Sequence, residues 1–238
     1  MPTIRYDLVD AVRGLAILAM IVFHFSWDLS FFGLADIQIT SDPFWVWFAR
    51  SIAGTILLVS GIAFVLVQTR GILPKPFVLR WLKVAACAAV ISLGTYQMDP
   101  GSFIYFGILH HIALASLLLL LLGRLPSILI LCLTAFFLSG PFWLFSEAFA
   151  APWLSWLGLW WPVGQPSDYV PVFPWFGLSL SGVILGRWML AHPWILGWRT
   201  DQAIFRLCGL AGRHSLLIYM LHQPILFGGL YLAVTYIL

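Results

Sequence analysis

The sequence predicts an all-α, polytopic membrane helix bundle of about seven transmembrane helices with a cytoplasmic N-terminus. Three observations carry that reading. First, 62% of the 238 residues are hydrophobic and 9% are charged, whereas a soluble domain carries roughly a quarter charged residues. Second, the apolar runs are about 20 residues long, the length a helix needs to cross hydrocarbon, and are not the alternating runs of about 10 that build a barrel. Third, the basic residues gather at alternate ends of those runs, as membrane orientation requires. One membrane-embedded domain over residues 1–238 is the economical description.

Spans are expected at about 12–34, 44–67, 79–97, 103–123, 125–146, 172–191 and 214–236. The first is too long and too polar inside for a signal segment and lacks a small-residue cleavage site, so it reads as a retained span. The second carries Arg50, and the basic RWLK enters the third. FGILHHIAL lies in the fourth, the tight GRLPS turn leads into the fifth, and RHSLLIYMLHQPIL opens the seventh. Segment 68–83 holds Arg70, Lys75, Arg80 and Lys83, and segment 187–213 holds Arg187, Arg199, Arg206 and Arg213. With Arg5, Arg13 and Arg124 they fall on one side. The connections of the other side hold Asp36, Asp42, Asp99, Glu147 and Asp168 without Lys or Arg. Positive charge stays inside, which puts the N-terminus in the cytoplasm and the C-terminus outside a cell membrane.

Two connections are long. The outer one, 147–171, is rich in Trp and Pro, and Pro152, Pro162, Pro166 and Pro171 preclude a continuous helix. It reads either as an aromatic belt at headgroup level or as a lid whose Trp faces stack on a flat-faced acceptor. The inner one, 192–212, contains a short interfacial helix after Pro193. The net charge of +3 forms no contiguous basic stripe, which argues against nucleic acid. Cys87, Cys132 and Cys208 are single and widely spaced, so they read as packing residues, and no metal site is expected.

The polar residues inside the spans are the candidate site, because burying ionisable groups at that depth is costly. Arg13 enters the first span at its cytoplasmic end. His24 follows eleven residues later, roughly 16 Å deeper and about 20° around the helix. Asp28 comes one turn further on, so one face runs from a cation through a central imidazole to a carboxylate. Arg50 descends to the depth of Asp28 and is its expected ion-pair partner. His110 and His111 cannot both face inward, and His110 is the one expected to face the site. His222 and Gln223 reach a similar depth, with Tyr219 within a turn. A neutral histidine beside a carboxylate is an oriented base or nucleophile. The same residues also serve as helix–helix hydrogen-bonding groups. Arg80 and Lys83, i and i+3 on one face, either grip phosphates with Arg13 or mark the inner leaflet.

R-x10-H, met as Arg13 and His24, is similar to the first-span signature of the acyltransferase-3 superfamily of membrane acyltransferases. The fuller DAVRGLAILAMIVFHFSWDLSFFGL, with LLVSGIAFVL, RWLK, FGILHHIAL and RHSLLIYMLHQPIL, resembles the heparan-α-glucosaminide N-acetyltransferase catalytic-domain family. The resemblance implies transfer of an acetyl group from cytoplasmic acetyl-CoA to a carbohydrate-type acceptor, a sugar amine or hydroxyl, at the outer face. On that resemblance Arg13, Arg80 and Lys83 would contact the donor. His24 would be the central catalytic histidine, preferred as a general base, with Asp28 orienting it and His110 nearby. Arg50, His222 and Gln223 would form a structural ion pair or the acceptor side. Homodimerisation is left open. The rival reading is a small proton-coupled transporter using the same buried His, Asp and Arg cluster, against which stands the lack of inverted repeats.

Overall fold

The computed structural model describes residues 6–69, 71–164, 166–199 and 201–236. Arg5 and Arg70, counted above among the inner cations, lie outside the described residues. Among the described residues every regular element is helical. The α-helices are α1 Asp7–Phe31, α2 Pro43–Gln68, α3 Pro74–Met98, α4 Ile108–Leu122, α5 Ser127–Ser139, α6 Pro141–Leu144, α7 Val172–Ala191, α8 Pro193–Leu196, α9 Ala203–Arg213 and α10 Ser215–Tyr236. All seven predicted spans become helices, and four of them (α1, α2, α3 and α10) are long and apolar enough to cross a membrane.

The fourth and fifth predicted spans are shorter than expected. α4 has 15 residues and α5 has 13, so they reach about 22 and 20 Å against a hydrocarbon core of about 30 Å. Residues 103–107 stay outside α4 because α3 takes up their backbone: Ser92 Oγ donates to the Ile104 carbonyl at 2.6 Å, and Ile104 N–H donates to Thr95 Oγ1 at 3.0 Å. α5 stops at Gly140, where Pro141 cannot continue its hydrogen-bond ladder.

The chain divides into two compact units, one from Met1–Ile56 with His192–Leu238 and one from Leu57–Ala191, the division falling inside α2. In the first unit α1 packs against α9 and α10. Asp7 and Asp10 occupy the first turn of α1, where carboxylates complement the helix dipole. They also pair with cations: Arg199 and Arg213 of segment 192–213 with Asp7 at 3.3 and 3.5 Å, and Arg213 and, from α1 itself, Arg13 with Asp10 at 3.5 and 3.3 Å. α1 and α9 approach closely enough that a Cβ at Gly14 would strike the Cys208 carbonyl and one at Gly212 the Asp10 carbonyl. Small residues allow this backbone contact, as in membrane helix pairs generally. Gly33, at φ 69°, turns the chain away after α1.

In the second unit α7 is the buried element, with Phe176, Leu180 and Val183 fully enclosed among residues of α4, α5 and the second half of α2. Arg187 near its end donates to Ser127 Oγ and to the carbonyls of Gly123 and Leu125, closing the turn between α4 and α5. The outer connection folds as two short 3-10 turns, Glu147–Phe149 and Pro152–Leu157. It is pinned back by Val170 N–H donating to the Phe106 carbonyl and Ser167 N–H to that of Ser102. Trp153 and Trp161 remain exposed on it.

Candidate active site

His24 on α1 and His222 on α10 stand ring to ring, their centroids 4.8 Å apart. Their hydrogen bonds fix where the protons sit. His222 Nδ1 lies 2.7 Å from the Tyr219 carbonyl, and a carbonyl only accepts, so Nδ1 carries the proton and Nε2 of the neutral ring is an acceptor. His24 Nδ1 lies 3.0 Å from the Met20 carbonyl and 3.3 Å from His222 Nε2. Both neighbours accept, so His24 also carries its proton on Nδ1. That leaves the lone pair of His24 on Nε2, for which no hydrogen-bond partner is found among the described residues. A half-buried imidazole with its proton locked on one nitrogen and a lone pair on the other is a prepared base.

One turn beyond, Asp28 is fully buried and accepts a 2.7 Å hydrogen bond from Gln223 Nε2 on Asp28 Oδ1. Past that pair, at the end of α1, a hollow is lined by Trp27, Ser30, Phe31 and the loop residues Ile37, Gln38 and Thr40. Trp27 lies three residues beyond His24 on nearly the same helical face. Ser30 Oγ is already committed to the Ile37 carbonyl at 2.8 Å, and this bond holds the loop against the helix.

The second unit has its own polar cluster. Gly107 N–H donates to His110 Nδ1 at 3.2 Å, and His110 Nε2 meets Ser92 Oγ at 3.0 Å. Asp168 Oδ2 accepts from Ile108 N–H at 2.9 Å. Together these groups take up the N–H groups of Gly107 and Ile108 at the start of α4. His111 is buried, with Nδ1 3.0 Å from the Val170 carbonyl and Nε2 without a partner among the described residues. Beneath the outer connection, Tyr169 donates to the Ser155 carbonyl at 2.6 Å. Burial raises the Tyr105 and Tyr169 hydroxyls above the ordinary phenol range, so both stay neutral. Arg80 lines a groove walled by Phe64, Phe77, Trp81, Ile112 and Leu119, and Lys83 is exposed one turn along α3.

The family described as heparan-alpha-glucosaminide N-acetyltransferase, catalytic, matches residues 5–224. The chain belongs to this family. The match runs from the start of α1 to Pro224, just past His222 and Gln223, so both histidines of the facing pair lie within it. No match is found among the curated proteins or among the solved structures.

Membership in the N-acetyltransferase family implies a membrane transferase, and three of the expected side-chain roles change on the structure. Asp28 does not hold His24; the Met20 carbonyl and His222 do, and Asp28 is bonded to Gln223. Arg50 does not pair with Asp28. Its guanidinium is exposed and lies 5.2 Å over the Trp47 ring, one turn back on the same helix, where cation–π contact replaces an ion pair. His110 has both ring nitrogens engaged at the head of α4. Arg13 lies in the second turn of α1, in contact with Asp10. The hollow at Trp27 and Gln38 has no signal in the sequence, because its loop carries no motif.

Proposed function

We propose that this chain is a membrane acetyltransferase that moves an acetyl group from cytoplasmic acetyl-CoA to an amine or hydroxyl of a carbohydrate acceptor at the outer face. The proposal includes seven membrane crossings in a cell membrane with the N-terminus inside. The observation that carries the reading is the tautomer of His24: its lone pair is on Nε2, and its Nδ1 proton is shared between Met20 and His222. His24 Nε2 removes the proton from the acceptor N–H or O–H as that atom attacks the thioester carbonyl. The carbon–sulfur bond breaks, and the imidazolium returns the proton to the departing thiolate. Positive charge on the ring is stabilised through Nδ1–H by the same two acceptors. Arg13, one face and roughly 16 Å inward of His24, supports entry of an anionic donor from the cytoplasmic end. The hollow at the outer end, with an indole wall and the hydroxyl and amide groups of Ser30, Thr40 and Gln38, suits a flat-faced polyol. Arg80 and Lys83 are retained as proposed phosphate contacts for the donor. Family membership lends the transporter alternative no support.

The test uses the full chain in nanodiscs with radiolabelled acetyl-CoA and a panel of amino sugars and polyols. Acetyl transfer is expected, and His24→Ala should reduce it by about 10²–10⁴-fold while leaving insertion and monodispersity intact. Undiminished transfer by that variant removes His24 from the chemistry.

A further inference from the structure

Asp28 and Gln223 share one hydrogen bond and strand two acceptors. Gln223 Nε2 donates to Asp28 Oδ1 at 2.7 Å. The remaining oxygen of each group, Asp28 Oδ2 and Gln223 Oε1, is buried without a hydrogen-bond partner among the described residues. Asp28 has no exposed surface at all, at 0%. Among the described residues of the same unit no cation forms an ion pair with Asp28: Arg50 lies over Trp47, Arg13 and Arg213 are on Asp10, Arg199 is on Asp7, and Arg206 is exposed on α9. An uncompensated buried carboxylate is among the most costly arrangements a protein can hold, and each buried orphan acceptor adds to the cost. Both defects lie in one side-chain pair, and a single proton removes both.

We infer that Asp28 is held as a neutral carboxylic acid, with Oδ2–H donating to Gln223 Oε1 while Oδ1 accepts from Gln223 Nε2. This closes a cyclic acid–amide pair between α1 and α10. The pair has no net charge, and every polar atom facing the partner side chain is used. Its consequence rests on the base assignment of His24. His222 immediately precedes Gln223, so the closed pair holds α10 in the register that puts His222 Nε2 on His24 Nδ1. Asp28 is therefore a positioning residue, and the helix face one turn outward of His24 carries no negative charge. An acceptor amine meets no counter-ion there that would hold it protonated.

Asparagine decides the matter, because it reproduces both hydrogen bonds without a titratable proton: Oδ1 accepts from Gln223 Nε2, and Nδ2–H donates to Gln223 Oε1. Full-length protein in nanodiscs, with its aspartate carboxyls labelled with carbon-13, is measured by infrared spectroscopy in H2O and D2O. A protonated-carboxyl carbonyl band is expected in the wild type, shifted down in D2O and absent from Asp28→Asn. Asp28→Asn is expected to match the wild type in thermal midpoint and in acetyl transfer. Asp28→Ala, which strands both ends of Gln223, should lose about tenfold or more in transfer. Two results overturn the inference: a carboxylate band at Asp28 in place of the acid band, or Asp28→Asn as unstable or inactive as Asp28→Ala. If no acetyl transfer is seen with any variant, the acetyltransferase reading fails, and the infrared band and thermal midpoints still decide the state of Asp28.

Discussion

Replacing His222 with Ala separates an orienting histidine from a catalytic one. His24 Nδ1–H has two acceptors, the Met20 carbonyl at 3.0 Å and His222 Nε2 at 3.3 Å. Truncating His222 removes the longer bond and leaves the Met20 carbonyl to hold the same tautomer, so the base survives. What is lost is one hydrogen bond to a ring that becomes cationic in the transition state, about 1.5–3 kcal/mol for a bond to a charged group. At about 1.36 kcal/mol per tenfold, kcat should fall by roughly 10- to 150-fold. The KM values for donor and acceptor should hold, since the bond strengthens only as the proton arrives. His222→Gln, whose side-chain oxygen accepts, should recover part of the loss. The assay is initial-rate acetyl transfer by reconstituted protein, with His24→Ala as reference. A loss in His222→Ala as large as in His24→Ala, not repaired by Gln, would make His222 a direct participant and refute the tautomer argument.

Gly14→Val places a side chain against the Cys208 carbonyl, a backbone atom that cannot swing aside; overpacking costs about 1–3 kcal/mol. A lowered thermal midpoint is expected there, while Gly209→Ala on the same helix pair meets nothing within 4 Å and should be neutral. Arg50→Ala removes an exposed contact with Trp47 and should shift stability by no more than about 1 kcal/mol with transfer unchanged; a collapse of activity would reinstate an ion pair with Asp28. Arg80→Ala should raise the KM for acetyl-CoA by about tenfold with kcat retained, and an unchanged KM would remove Arg80 from donor binding.

The order of polar groups along α1 was legible because depth and face follow from rise and periodicity alone. Arg13, His24 and Asp28 fall on one stripe of one helix whatever surrounds it. The partners were harder, for identifiable reasons. His24 is held in part by the carbonyl of Met20, and any residue at that position supplies a carbonyl, so no side-chain pattern marks it. Arg50 was assigned by depth, while Trp47, three residues back on the same helix face, was a readable competitor and takes it. His110 follows Gly107 by three residues at a helix start, a capping position, and its bond to the Gly107 N–H could have been anticipated. The bond from His111 to the Val170 carbonyl spans 59 residues and left no local trace. The small face of α9, Cys208, Gly209 and Gly212, carries no motif that names a partner, and only the structure shows that Gly14 faces it.

The pairing of α1 with α10 also explains why so few residues suffice. His24 and Asp28 are separated by one turn, about 6 Å of rise, whereas His222 and Gln223 are neighbours about 1.5 Å apart in rise and roughly 100° apart around their helix. Two adjacent side chains on α10 therefore diverge to reach two groups a turn apart on α1. That geometry admits one register. Advancing α10 by a single residue would bring Pro224 to the place of Gln223, and proline offers Asp28 no donor at all, from side chain or backbone. The sequence His-Gln-Pro in α10 thus confines the helix to the setting in which His222 meets His24.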